Sequence, residues 1–222
     1  MTTLEYILNK FNLRYDNGTR MPIVIPDIGR DNLSGLFCEL GFKVGVEVGV
    51  EQGIFSESLC KNNPELKLYA IDPWEAYPGY RLNKTQKDVA THYNDAKTRL
   101  APYNCKLVKK FSLDAVKDFS DQSLDFVYID GNHNFQNCTN DIAEWTKKIK
   151  FGGIIAGHDY VKHRKPTGMH VVEVVNAYTD AYGIRPWFVL GTKAIIEGKT
   201  RDKVRSFIWV VEPLLSPTRN QQ

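Results

Sequence analysis

The sequence predicts an α/β fold built on an open, doubly wound and mostly parallel sheet. Three observations predict it. From residue 43 onward, short apolar runs alternate with segments of helical periodicity. Most of those runs are near-continuous rather than alternating, as in strands covered on both faces. The chain has 222 residues, 42% of them hydrophobic and 25% charged, which suits one sizeable soluble domain.

The N-terminal part reads as helix. Leu4, Ile7, Leu8 and Phe11 fall on one helical face. Asn17-Gly18 and the stretch from Pro22 to Pro26 break it. A second helix carries Leu33, Leu36, Phe37 and Leu40, with Asp31 or Asn32 as its cap and Gly41 as its stop. Residues 1–42 are therefore expected to form a helical cap, 43–213 the main domain, and 214–222 a tail without structure.

Seven strands are expected in the main domain: Val44–Val48, Leu66–Ile71, Cys105–Lys109, Leu124–Ile129, Gly153–Ala156, Trp187–Leu190 and Phe207–Val211. The last two read as an antiparallel pair at the sheet edge. Helices are expected at Phe55–Lys61, Lys84–Leu100, Ser112–Phe119 and Val171–Ala181. One more is expected through Cys138, Ile142, Trp145 and Ile149.

Composition excludes several classes. No apolar run approaches the ~20 residues of a membrane helix, and the start lacks the basic and apolar parts of a secretion signal. A cytoplasmic protein is expected. Cys38, Cys60, Cys105 and Cys138 form no CxxC pair, so they read as buried thiols rather than a zinc site. A net charge of +3 is too mild to imply nucleic acid. The expected partner is a small-molecule acceptor; homo-oligomers remain open.

Open sheets of this kind bind ligands at the carboxyl ends of their strands. The first expected strand runs into Glu47-Val48-Gly49-Val50-Glu51-Gln52-Gly53. Gly49 permits a sharp turn, and Gly53 lets a helix or ligand approach. The G-x-G-x-x-G dinucleotide fingerprint is absent, since position 47 is Glu. The second strand ends on Asp72, placed to accept hydrogen bonds from two ribose hydroxyls or, more plainly, to cap the next segment. The fourth and fifth deliver Ile129-Asp130-Gly131-Asn132-His133 and Gly157-His158-Asp159 to the same edge. Buried charges are costly unless paired or bound to metal.

The pattern Glu47, Gly49, Gly53 resembles motif I of class I S-adenosylmethionine-dependent methyltransferases, which have a Rossmann-like fold. The segment from about Asp31 to Asp159 further resembles the metal-dependent O-methyltransferases acting on macrolide sugars and the cephalosporin-hydroxylase-like proteins. The resemblance implies S-adenosylmethionine held by Glu47, Gly49, Gly53, Asp72 and Asp130, with Ser112 and Leu113 flanking the adenine. It implies O-methylation of a small, sugar-like acceptor, with His133 as general base and Asp130 beside it. It implies Mg²⁺ held by Asp130 and Asp159. His158 stands where that group has a second acid, which turns the set toward Mn²⁺. Two other readings stay open, a non-catalytic cofactor-binding module and a nucleotide-cofactor oxidoreductase. The stretch from Trp74 to Arg81 reads as either a lid or a surface loop, and His163, Arg164 and Lys165 as a weak candidate for an acidic acceptor.

Overall fold

The structure is a computed structural model; it describes residues 1–26, 28–77, 85–162, 168–191 and 205–213. Pro78–Arg81, the basic group at 163–165 and the tail 214–222 lie outside the described residues.

Alternating strands and helices build one eight-stranded sheet. The strands are β1 (Ile23–Ile25), β2 (Val44–Val48), β3 (Lys67–Ile71), β4 (Cys105–Val108), β5 (Leu124–Ile129), β6 (Ile149–Gly157), β7 (Phe188–Leu190) and β8 (Ser206–Val210). Their order is β1-β7-β8-β6-β5-β2-β3-β4. β2 pairs in parallel with both β3 and β5, so the chain reverses its direction of growth beside β2. That is the switch point where such sheets hold ligands.

The doubly wound, mostly parallel fold is as expected, with one strand more. Ile23–Ile25 joins the sheet parallel to β7. The prolines that flank it obscured it in the sequence, yet an edge strand tolerates them because one side of its ladder is unpaired. The expected antiparallel pair forms between β7 and β8. β8 is also antiparallel to β6, and with β7 and β1 outside it lies third from the edge.

The helices are α1 (Thr3–Lys10), α2 (Arg30–Glu39), α3 (Ile54–Asn62), α4 (Gln86–Leu100), α5 (Ser112–Ala115), α6 (Phe135–Thr146) and α7 (Val171–Ala181). Strand residues alternate between the two faces. Phe126 and Tyr128 face the side of α1 to α3, whereas Val127 and Ile129 face α6 and α7. Phe37 of α2 stacks on Phe126 at 4.2 Å between ring centroids. α4 packs over β3 through Val89, Ala96 and Leu100.

Several boundaries differ for local reasons. α2 starts at Arg30 after Gly29, and Asn32 returns its side chain to the Gly29 N–H at 2.9 Å instead of capping directly. α4 starts after Thr85, which forms a capping box with Asp88. Ile149 opens β6 rather than ending α6. Ser112 does not cap α5; its hydroxyl is used elsewhere. Cys38 is exposed, not buried, and all four cysteines are free thiols. No helix among the described residues is long and apolar enough to cross a membrane.

Candidate active site

The carboxyl ends of β2, β3, β5 and β6 lie side by side at one edge of the sheet, where a cleft is expected. At its centre is the turn after β2. Gly49 has φ +88° there, and a Cβ would meet the Asp130 carbonyl oxygen at 2.2 Å. Only glycine lets this turn lie against the end of β5. Gly53 has another task. It opens α3 with φ +75°, and its missing Cβ makes room for Leu100 and Ala96 of α4.

Asp72 closes the turn from the side. Its Oδ2 accepts the Glu51 N–H at 3.0 Å, and its Oδ1 accepts the Trp74 N–H at 2.8 Å. Burial pushes this carboxyl up to about 6, against the two backbone N–H bonds that favour its charge. Trp74, 1% exposed, donates its indole N–H to the Glu51 carbonyl at 2.8 Å. Its buried ring thus ties the segment after β3 to the glycine turn.

Glu47 points away from the cleft mouth. It lies on the α2–α3 face of β2, 2% exposed, and accepts a hydrogen bond from Ser56. Burial lifts its pKa to about 8, so near neutral pH its carboxyl is mostly uncharged. Its observed task is to tie β2 to α3.

The imidazoles and acids after β5 and β6 form a tight cluster. His133 Nδ1 lies 3.3 Å from Asp159 Oδ2, and its Nε2 lies 3.3 Å from Asp130 Oδ1. That second contact is off hydrogen-bonding angle, and Nε2 is buried without a partner. His158 Nδ1 lies 3.3 Å from Asp159 Oδ1 and 3.6 Å from Asp130 Oδ1. Burial opposes charge on His158, yet its bonds to Asp130 and Asp159 lift it to about 9. Burial alone would raise Asp130; the pull of His133 and His158 outweighs it and holds that acid at about 2. Asp159 adopts φ +54°, a strained backbone for a residue with a side chain, as occurs where a group must be aimed.

One ligand atom each of Asp130, His133 and Asp159 lies within 4.8 Å of the others. Two carboxylates and an imidazole, with a buried nitrogen lacking a partner, fit a divalent cation of the Mg²⁺ to Mn²⁺ kind. His158, not His133, was the imidazole expected in such a set; the atoms that converge are those of His133, with His158 Nδ1 beside them, 3.3 Å from Asp159 Oδ1.

Some expected residues serve otherwise, and some were missed. Ser112 Oγ donates to Asp141 at 2.6 Å and accepts from Trp145 Nε1 at 2.9 Å. Leu113 stays partly exposed at the rim beside Phe111. Arg30, at the start of α2, reaches over the Phe55 ring and donates to Asp130 Oδ2 at 3.2 Å. No motif spacing marks Arg30, because it arrives from a segment remote in sequence. Asp141 gave a faint signal, an acid one position from the Cys138–Ile142–Trp145 stripe.

A family model described as a methyltransferase domain matches residues 46–160, just over half of the chain. The chain belongs to this methyltransferase-domain family. A curated relative is the uncharacterized protein y4gI of Sinorhizobium fredii, 22% identical over 119 residues. That match spans 53% of this chain but only 12% of the relative. Among solved structures, the methyltransferase domain resembles an O-methyltransferase from Bacillus cereus in complex with SAH. The TM-score is 0.57 at 15% identity, covering 94% of this chain and 90% of that one. It equally resembles the O-methyltransferase TomG of Streptomyces achromogenes, involved in tomaymycin synthesis and solved with SAM. Here the TM-score is 0.57 at 17% identity, covering 94% and 89%. At such identities the likeness is one of fold.

Proposed function

We propose that this protein is an S-adenosylmethionine-dependent methyltransferase that methylates a hydroxyl of a small, sugar-like acceptor. The observation that carries this reading is the hydrogen bond from the Glu51 N–H to Asp72. It joins the glycine turn to a buried acid at the switch point of the sheet, the cradle that a nucleoside with vicinal hydroxyls requires.

When bound, the sulfonium of S-adenosylmethionine supplies an electrophilic methyl group. The chain's part is to bind, align and deprotonate. Asp72 accepts the ribose hydroxyls in place of water. Asp159 faces His133 Nδ1 and orients the ring, leaving Nε2 to take the acceptor's hydroxyl proton. Asp130 then stabilises the imidazolium across 3.3 Å. A divalent cation, if the enzyme employs one, would be held by Asp130 and Asp159 with His158, and would lower the pKa of an acceptor hydroxyl. His133 cannot be both ligand and base through the same nitrogen.

Calorimetric titration with S-adenosylhomocysteine tests the cradle. Wild type should bind, and Asp72→Ala should bind at least tenfold more weakly. Absence of binding at millimolar ligand would sink the proposal. His133→Gln should keep cofactor affinity and lower kcat by about 10² or more. Unchanged turnover would remove the base assignment.

A further inference from the structure

The cradle and the proton-transfer groups leave Arg30 without a task. This residue opens α2, and its Nη1 donates to Asp130 Oδ2 at 3.2 Å. That is its single hydrogen bond among the described residues, although a guanidinium carries five N–H donors in a planar fork. The group is held in place all the same. Its central carbon lies 5.3 Å from the centroid of the Phe55 ring, and Phe55 packs on Tyr128 at 4.4 Å between centroids. Both rings are buried, so the guanidinium rests on a rigid floor with 30% of its side chain still open.

Asp130 does not depend on this cation to balance its charge. His133 Nε2 and His158 Nδ1 already lie 3.3 and 3.6 Å from its other oxygen. Two more acids are within electrostatic reach of Arg30. Glu47 is mostly uncharged near neutral pH and bonded to Ser56, and Asp31 is exposed to water. A fixed, partly buried guanidinium with open donors is thus in surplus, and such a fork matches a carboxylate in two parallel bonds. Its position ties it to the chemistry. The Asp130 carboxylate stands between the guanidinium, at Oδ2, and His133 Nε2, at Oδ1. A hydroxyl at that nitrogen and an acid group at the fork therefore fall within the span of one small molecule. A singly charged carboxylate suits a place beside Asp130 better than a phosphate dianion, because like charges repel.

We propose that Arg30 sets the class of acceptor: the open edge of its guanidinium binds a carboxylate of the acceptor while a hydroxyl of the same molecule faces His133. This rests on the methyltransferase reading above and narrows its acceptor from a neutral sugar to a sugar acid. Arg30 is then a specificity-determining residue and takes no part in moving the proton.

The test compares D-glucuronate with D-glucose, which carry a carboxylate and a hydroxymethyl group at the same carbon. Both are titrated calorimetrically into protein saturated with S-adenosylhomocysteine. Wild type should prefer glucuronate by about tenfold or more, because a fork left unpaired by glucose forfeits a charge-assisted pair. In Arg30→Gln the preference should shrink to within about threefold, with glucose and S-adenosylhomocysteine bound as in wild type. Equal weakening of both sugars, with the preference intact, would mean that Arg30 only braces Asp130, and would overturn the proposal. So would a wild type that binds S-adenosylhomocysteine yet does not favour glucuronate at millimolar concentration. An Arg30→Gln variant that loses S-adenosylhomocysteine would place Arg30 on the cofactor instead, and would equally overturn it. Should Arg30→Gln fail to fold, Arg30→Lys keeps the charge without the fork, and the preference should fall several-fold; an unchanged preference there counts against the proposal. A folded wild type that does not bind S-adenosylhomocysteine removes the cofactor reading itself, which separates that failure from a failure of Arg30 alone.

Discussion

At the scale of single residues, burial gives neighbouring acids different tasks. Asp130 stays charged because two imidazoles face it, whereas Glu47, buried beside a single hydroxyl, is held at about 8. The consequence for stability has a definite sign. A carboxyl ordinarily near 4.5 that rises to about 8 in the fold favours the folded state most when protonated. Its contribution is complete below pH 4.5 and is lost as pH rises toward 8. Between pH 5 and 8 this one group should cost on the order of 3 kcal/mol. Glu47→Gln keeps an acceptor for Ser56 and removes the titration. Urea unfolding of that variant should therefore show a flatter pH dependence over this range than wild type. Parallel curves would contradict the assignment. Asp72, raised by burial to about 6, carries a smaller penalty of the same sign.

At the scale of elements, the glycine turn shows how two glycines one turn apart differ. Gly49 lies against backbone: a Cβ there would meet the Asp130 carbonyl at 2.2 Å, and neither strand can yield without losing its ladder. Gly53 lies against the end of the Leu100 side chain at 3.0 Å, which can shift. Both have positive φ and bear that strain equally on substitution. Gly49→Ala should thus cost about 3 kcal/mol or more and abolish S-adenosylhomocysteine binding, while Gly53→Ala should cost about 1–2 kcal/mol. Thermal unfolding and calorimetry of the two variants check the ranking. Equal losses would show that backbone strain outweighs the contact with β5. The six-residue string from Glu47 to Gln52 does little alone; β5 and β3 give it its shape.

At the scale of the molecule, the N-terminal segment is part of the site and of the core. α2 carries Arg30 to Asp130 at one end and buries Phe37 against Phe126 further along. β1 extends the same sheet. We expect residues 1–42 to unfold together with the rest. Phe37→Ala should cost about 3–5 kcal/mol, the usual loss for emptying a buried aromatic site. Denaturation followed by tryptophan fluorescence and by far-UV circular dichroism should still give one coincident transition. Two separated transitions would show the segment to be a detachable cap after all.

Much was legible in the sequence by itself. Buried strands must be apolar on both faces and their turns need glycine, so the alternating layers, the turn at Gly49 and the polar strand ends at Asp72, Asp130 and Asp159 were all visible as local pattern. Only the tertiary structure decided which side chains face the cleft. Glu47 turned under α3 because the strand alternation put it there; Arg30 entered because α2, distant in sequence, starts beside Asp130. Side-chain direction depends on which elements pack together, and no local pattern carries that information.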